Sequence, residues 1–319
     1  MLENQLRTVP DTQAASLVAR RAISKDEVTV VLPTLNEADA IEVVIDELRK
    51  QGYNKILIVD GYSTDGTPEL ARERGAVVIS QIGTGKTGAL ATAIRYVNTP
   101  FLLVMDADCT YDPRNIEQLL AHANSYDEII GARTNGVQHI PRINRLGNWF
   151  LSWFFRLLFS VRIGDVCSGM YLLRSDSARS LQLSTGGFDA EVEITAQLAA
   201  SGRVAEVPIS YRARVGRQKL SSLRDGIRIA TSTFRLTGLY NPVLLFSAVM
   251  ALAIAPATVI LAWVIYERLV LSIWHSGYAL FGVMLFLLAS QAFSVATISI
   301  LIKRSEQRTR ASVRNTLNR

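Results

Sequence analysis

The sequence predicts an α/β domain on a mostly parallel sheet, followed by a hairpin of two membrane-length helices. Three observations carry this expectation. Short apolar runs alternate with helical stretches across residues 28–131, the pattern of a parallel sheet covered on both faces. Polar and charged residues gather directly after those runs: Asn36, Glu37, Asp60, Asp65, Lys86, Asp106, Asp108 and Arg133. In an open α/β sheet that edge is where ligands bind. Lastly, the uncharged stretches 242–266 and 278–302 each meet the roughly 20-residue length of a spanning helix.

The elements follow in order. The first strand is 28–32, and the helix after it, 38–51, puts Ile41, Val44, Ile45 and Leu48 on one face. A second strand, 55–59, runs into a loop crowded with turn residues at 60–67. Helix 67–74 has Pro68 in its first turn. A third strand is expected at 76–80, a glycine-rich basic loop at 81–88 and a helix at 87–97. The buried run from Phe101 ends in Asp106 and Asp108, which alternation along a strand points the same way. A helix at 113–122 and a short strand at 128–131 follow.

Two converging carboxylates repel unless a cation sits between them. A hard divalent ion with oxygen ligands, Mg2+ or Mn2+, would do so while gripping a substrate diphosphate. Two surface aspartates opening a loop are the plain alternative. A dinucleotide-binding Rossmann domain is disfavoured, because no G-x-G-x-x-G follows the first strand. A P-loop is disfavoured too, since Ser80 stands where its first glycine belongs. Lys86, beside glycines at a helix start, is placed for phosphate contact.

The totals narrow the class. With 319 residues there is room for one large domain or two modest ones. The net charge of +6 suits an anionic partner, and much of it lies in 303–319. Cys109 and Cys167 lack C-x-x-C spacing, which implies neither a disulfide framework nor a zinc site. Cys109 reads as a small buried residue, with a reactive thiol as the alternative. Residues 1–27 lack the apolar core of a signal peptide, so the N-terminal part is expected to stay on the side where it is made.

At this point a resemblance is clear. Pro33-x-x-Asn-Glu37, Asp60-Gly-x-Ser-x-Asp-Gly-Thr67, Gly85-Lys86, Asp106-x-Asp108 and Gly131-x-Arg133 come in the order and spacing of family 2 glycosyltransferases. The chain resembles the branch of dolichol-phosphate or polyprenyl-phosphate sugar synthases. Asp165-Val-Cys-Ser-Gly-Met170 resembles that branch's D-x-x-S-G-F segment, with Met170 in place of the aromatic. The resemblance implies a GT-A fold, a nucleotide-sugar donor and inversion at the anomeric carbon. It places Pro33, Asn36, Glu37, Asp60 and Asp65 at the donor, and Asp106 and Asp108 on the metal. Thr110 stands where relatives often carry a glutamine as a third metal contact. No Q-x-x-R-W follows, which favours single transfer over polymerisation. Arg212, Arg214, Arg217 and Lys219 resemble a basic loop that closes over donor and acceptor phosphates. Arg133, Arg142, Arg145, Ser168 and Arg214 are acceptor-phosphate candidates, and Asp189 a catalytic one. Glu191 shares that last position, or is simply an acid at a helix start.

Residues 141–159 are too short to span a bilayer, but aromatic side chains with basic ends suit its interface. Residues 223–236 form a second, basic amphipathic candidate for an anionic membrane surface. Arginines and lysines flank the hairpin on its outer ends, while its connector carries only Arg268 and His275. By the positive-inside rule the domain and both termini are cytoplasmic. The expected divisions are an extension 1–27, a catalytic domain 28–221, an interfacial helix 222–240, a hairpin 241–303 and a basic tail 304–319. The function expected is transfer of one sugar from a GDP- or UDP-sugar to a polyprenyl phosphate at a bilayer. A homo-oligomer through the hairpin stays open. The alternatives are a membrane-tethered nucleotidyltransferase and a non-catalytic scaffold binding nucleotide sugars. A nucleic-acid partner is disfavoured, because the basic residues flank membrane segments.

Overall fold

The computed structural model describes residues 22–159, 161–183, 190–199, 203–216 and 242–317. Seven strands form one sheet in the order β3-β2-β1-β4-β6-β5-β7. They are β1 (Val28–Thr34), β2 (Ile56–Asp60), β3 (Val77–Ser80), β4 (Phe101–Val104), β5 (Glu128–Asn135), β6 (Tyr171–Arg174) and β7 (Val204–Ser210). β6 runs antiparallel to both neighbours, β4 and β5; the other pairings are parallel.

Alternation sends the strand residues into two core layers. Val28, Val30 and Leu32 of β1 pack with Ile41, Val44, Ile45 and Leu48 of α1 (Ile41–Lys50) on one face. Val31, with Leu57 and Val59 of β2, joins Leu90 and Ala93 of α3 (Gly85–Tyr96) on the other. Burial on both faces explains why β2 reads as an unbroken apolar run. The remaining helices of the domain are α2 (Thr67–Glu73), α4 (Ile116–Leu120), α5 (Arg142–Phe159), α6 (Ser175–Arg179) and α7 (Ala190–Ala199).

Sequence and structure differ in three places. β6 was not expected, since four residues directly after Gly169 give too little pattern to read. Its reversed direction makes the sheet mixed at that point. The helix expected at 113–122 is a 3-10 turn, Pro113–Asn115, leading into a short α4. The hairpin helices are longer than expected: α8 covers Pro242–Val270 and α9 covers Ser276–Leu317, so the expected tail continues α9. Ala253, Ala257, Ala289, Ala292 and Ala296 are buried, and Trp263 stacks on His275 at the turn, 4.9 Å between centroids. The expected interfacial helix 222–240, Asp189, Arg217, Lys219 and residues 1–21 lie outside the described residues.

Candidate active site

Parallel pairing of β1 with β2 puts Thr34 opposite Asp60, so the two following loops start side by side. Their polar residues then stitch them together. The Asn36 N–H donates to Ser63 Oγ at 2.8 Å, and Asn36 Oδ1 accepts from the Thr64 N–H at 2.8 Å. The Glu37 N–H donates to Thr67 Oγ1 at 2.8 Å, and the Ala38 N–H to Asp65 Oδ2 at 3.0 Å. Ser63 donates to Asp60 from its N–H at 3.0 Å and its hydroxyl at 2.6 Å. Burial alone would raise the Asp65 pKa, but the Thr67 hydroxyl and nearby backbone N–H groups outweigh it and lower it. Asn36 itself sits at φ 55, a left-handed conformation that asparagine tolerates. Pro33 lies inside β1 opposite Val59. Of the residues expected at the donor, Asn36, Glu37, Asp60 and Asp65 thus form one platform.

Beside it, β4 ends at Val104 and the chain delivers Asp106 and Asp108. The Asp106 side chain is 34% exposed and that of Asp108 only 7%. Asp106 is therefore the more open of the two and Asp108 the more buried. Burial first, and then the Asp106 charge, raise the Asp108 pKa, against hydrogen bonds from Thr110 and the charge of Arg214. Each carboxylate meets a protein cation. Lys86 Nζ lies 2.6 Å from Asp106 Oδ1 and 2.5 Å from Glu191 Oε1. Arg214 reaches Asp108 Oδ2 at 2.9 Å and Glu37 Oε1 at 2.8 Å. Burial would lower the Lys86 pKa, but Asp106 and Glu191 hold it well above the usual lysine range.

A third segment fixes Asp106 in place. A Cβ on Gly169 would fall 2.0 Å from Asp106 Oδ2, so only glycine lets the carboxylate lie there. The Gly169 N–H donates to Tyr111 Oη at 2.6 Å, and Ser168 Oγ to the Gly131 carbonyl at 2.6 Å. Arg133, itself little exposed, forms a two-pronged pair with the buried Asp165, 2.7 Å on each prong. Burial would raise the Asp165 pKa; the Arg133 guanidinium outweighs it and lowers it. Asn148 of α5 donates to the same Asp165 at 2.8 Å.

Several expected phosphate or metal contacts are therefore engaged elsewhere. Arg133 is held by Asp165, and Ser168 is buried against β5. The Thr110 hydroxyl and N–H both donate to Asp108 Oδ1, which makes Thr110 an orienting residue for that carboxylate. Arg212 turns to Glu47 of α1 at 2.8 Å and to Asp112 at 2.6 Å. Asp112 needs that countercharge: burial would raise it, yet Arg114 and Arg212 bring its pKa down to about 2. Arg145 is exposed on α5, and Arg142 opens that helix. Sequence reasoning left Tyr111 unassigned, and left Glu191 as an ambiguous helix-start acid. The signal for Glu191 was a pair of acids, Glu191 and Glu193, in the first turn of a helix whose other residues carry no charge.

The residues fit a divalent cation of one kind. Among the described residues no cluster of three or more His, Cys, Asp or Glu side chains could enclose a metal. Two neighbouring carboxylates, one of them open to the cleft, instead suit an ion that keeps waters and shares its shell with substrate phosphates. That the pair already attracts Lys86 and Arg214 shows its demand for positive charge.

An open α/β sheet with an acidic pair at the end of its central strand defines a nucleotide-handling enzyme architecture. The chain belongs to glycosyltransferase family 2: residues 29–179 match the family described as Glycosyl transferase family 2. It is similar to the glycosyltransferase AglJ of Haloferax volcanii, 32% identical over 284 residues, covering 87% of this chain and 94% of that protein. A dolichyl-phosphate hexose transferase of the same organism is 32% identical over 216 residues, covering 66% of this chain and 94% of that protein. An undecaprenyl-phosphate mannosyltransferase of Micrococcus luteus is 27% identical, covering 61% and 87%. Among solved structures, the glucosyl-3-phosphoglycerate synthase of Mycobacterium tuberculosis, in complex with Mn2+, UDP-glucose and phosphoglyceric acid, superposes with a TM-score of 0.56 at 21% identity. The likeness covers 66% of this chain and 79% of that one, and establishes the shared fold. The chain is a glycosyltransferase, and it resembles enzymes named for polyprenyl-phosphate acceptors.

Proposed function

We propose that the enzyme transfers one hexose from a nucleotide sugar to the phosphate of a dolichyl-type polyprenol at a membrane surface. One observation carries this reading. The Asp106–Asp108 pair is linked, through Gly169 and Asp165, to an α5 helix that exposes Leu146, Trp149, Phe150, Trp153 and Leu157. The acidic pair and an apolar aromatic face are thus joined through the loop that carries Asp165 and Gly169. Two helices long and apolar enough to cross a membrane, Leu245–Val270 and Ser276–Ile302, support the same setting. So do the names of the Haloferax and Micrococcus relatives.

In this reading the stitched loops around Asn36 and Asp60 hold the base and ribose. Asp106 and Asp108 would hold Mg2+ or Mn2+, which neutralises the departing diphosphate. Lys86 and Arg214 add positive charge to the same edge. The acceptor phosphate oxygen is already anionic near neutral pH, so the site needs no strong base; orientation of the two reactants does most of the work. Arg145, exposed on α5, would meet the acceptor phosphate.

The test is an assay of the full chain in detergent with Mn2+ or Mg2+, a polyprenyl phosphate and a panel of radiolabelled GDP- and UDP-sugars. Label should enter the lipid phase from one donor, and do so neither with chelator nor in Asp108→Asn. Metal-dependent nucleotide binding without transfer from any donor would overturn the proposal.

A further inference from the structure

Each aspartate of the pair shares its cation with a second carboxylate. Lys86 bridges Asp106 and Glu191, and Arg214 bridges Asp108 and Glu37. The arrangement poses a problem for a divalent ion. Asp106 Oδ1 and Asp108 Oδ2 are already held by cations, and an ion bound at those atoms displaces them. A displaced ammonium or guanidinium with no other partner would either stay and compete or be left buried without countercharge, which is costly. The second carboxylates remove that difficulty on both sides of the site. Glu191 is more buried than Lys86, 11% against 18% side-chain exposure, and enters from the first turn of α7. Lys86 enters from the first turn of α3, a different element. Their meeting is a tertiary contact and not a by-product of local sequence.

We propose that Glu191 is a positioning residue for Lys86: it retains the ammonium when Asp106 turns to a divalent cation, and holds it at the edge where a nucleoside diphosphate binds. Glu37 does the same for Arg214. The free enzyme is then self-neutralised, and loading is an exchange of partners in which both cations stay in the cleft. This inference rests on the metal reading of Asp106 and Asp108, and the experiment separates the two.

Mn2+ binding to the full chain in detergent micelles is followed by electron paramagnetic resonance, without nucleotide and with UDP or GDP. Glu191→Gln leaves Lys86 to Asp106 alone and should weaken Mn2+ binding by about tenfold or more, the effect of losing an outer-shell partner. Lys86→Met removes the competitor and should tighten Mn2+ binding without nucleotide, while reducing the gain that UDP or GDP brings. In the Lys86→Met background, Glu191→Gln should change the Mn2+ affinity by no more than about twofold, because the two residues act as one unit. An equal loss in both backgrounds would show that Glu191 acts as a bare charge or a structural group, and would overturn the proposal. So would an unchanged affinity in Glu191→Gln. If Glu191→Gln does not fold, Lys86→Met decides alone: tighter Mn2+ binding supports the exchange and weaker binding overturns it. Wild-type protein that binds no Mn2+, or Asp108→Asn that binds it normally, would overturn the metal reading and this inference with it. Normal Mn2+ binding in Glu191→Gln, with binding lost in Asp108→Asn, would overturn the exchange only.

Discussion

Gly169 is the residue on which the acidic pair depends most directly, because its missing side chain is the space that Asp106 occupies. The clashing atoms belong to the end of one side chain, so Gly169→Ala should fold and displace the Asp106 carboxylate. Metal-dependent UDP or GDP binding should fall by about 10–100-fold, as for other outer-shell changes, with little change in melting temperature. Calorimetric titration checks the first point and a thermal melt the second; unaltered binding would remove Gly169 from this role. Glu128 makes a different residue-scale argument. It is fully buried, Thr195 donates to its Oε1 at 3.0 Å, and its Oε2 has no partner. Burial, and secondarily the Glu191 charge, push its pKa up to about 8, against the Thr195 hydrogen bond. In the unfolded chain the same carboxyl ionises near its usual value of 4.5. Between these values the folded state holds the extra proton, so Glu128 makes stability fall as pH rises from about 4.5 towards about 8. Glu128→Gln keeps the acceptor for Thr195 and removes the titration. Its stability relative to wild type should therefore grow between pH 5.5 and 8, by on the order of a few kcal/mol. Melts of both proteins at the two pH values test this, and a constant difference would refute it.

At the scale of elements, α5 joins the acidic pair to an apolar exterior. Its inner face buries Leu151, Ser152, Phe155 and Phe159, and its outer face exposes Trp149, Phe150 and Trp153. Replacing Trp149 and Trp153 by glutamate should leave nucleotide binding intact. The KM for a long-chain polyprenyl phosphate in vesicles should rise by at least about tenfold, since each lost aromatic burial removes more than 1 kcal/mol. An unchanged lipid KM would leave α5 without a lipid role. This helix was legible in the sequence because its aromatic residues lie within one continuous stretch. The platform loops were legible for a related reason: Asn36, Asp60 and Asp65 both build the loops and line the edge, so their spacing carries both facts. The partners of Arg133, Arg212 and Ser168 were not legible. They lie at Asp165, Glu47 and Gly131, far along the chain and joined only by the sheet. An arginine in a motif looks alike whether it will meet a substrate phosphate or a buried aspartate. β6 escaped for want of length, and with it the reversed strand that brings Gly169 to Asp106.

The whole molecule divides its charge about the hairpin, and this predicts its orientation. The apolar segments of α8 and α9 span 26 and 27 residues, about 39–40 Å at the helical rise, longer than a bilayer core of about 30 Å. Spans of this length would cross with tilt or extend beyond the core, and two crossings would return the chain to its starting side. The connector after Val270 holds Trp274 and His275, with Tyr278 beside them, an aromatic set suited to the interface. Lys303, Arg304 and Arg308 follow the second span, in the part of α9 that continues past it. The positive-inside rule then predicts residue 305 and the nucleotide site on the cytoplasmic side and Ser272 outside. Cysteine labelling tests this with little background. Burial first, then nearby carboxylates, raise the Cys109 thiol to about 11 and the Cys167 thiol to about 12, so neither is a thiolate at neutral pH. In intact cells a membrane-impermeant maleimide should label Ser272→Cys and spare Ser305→Cys. Permeabilisation should expose the second position while the native cysteines stay unlabelled until the protein is denatured. Labelling of both positions in intact cells, or the reverse pattern, would place the nucleotide site on the wrong side for cytosolic donors. A lipid-phosphate acceptor would then have to be paired with a donor from the other compartment.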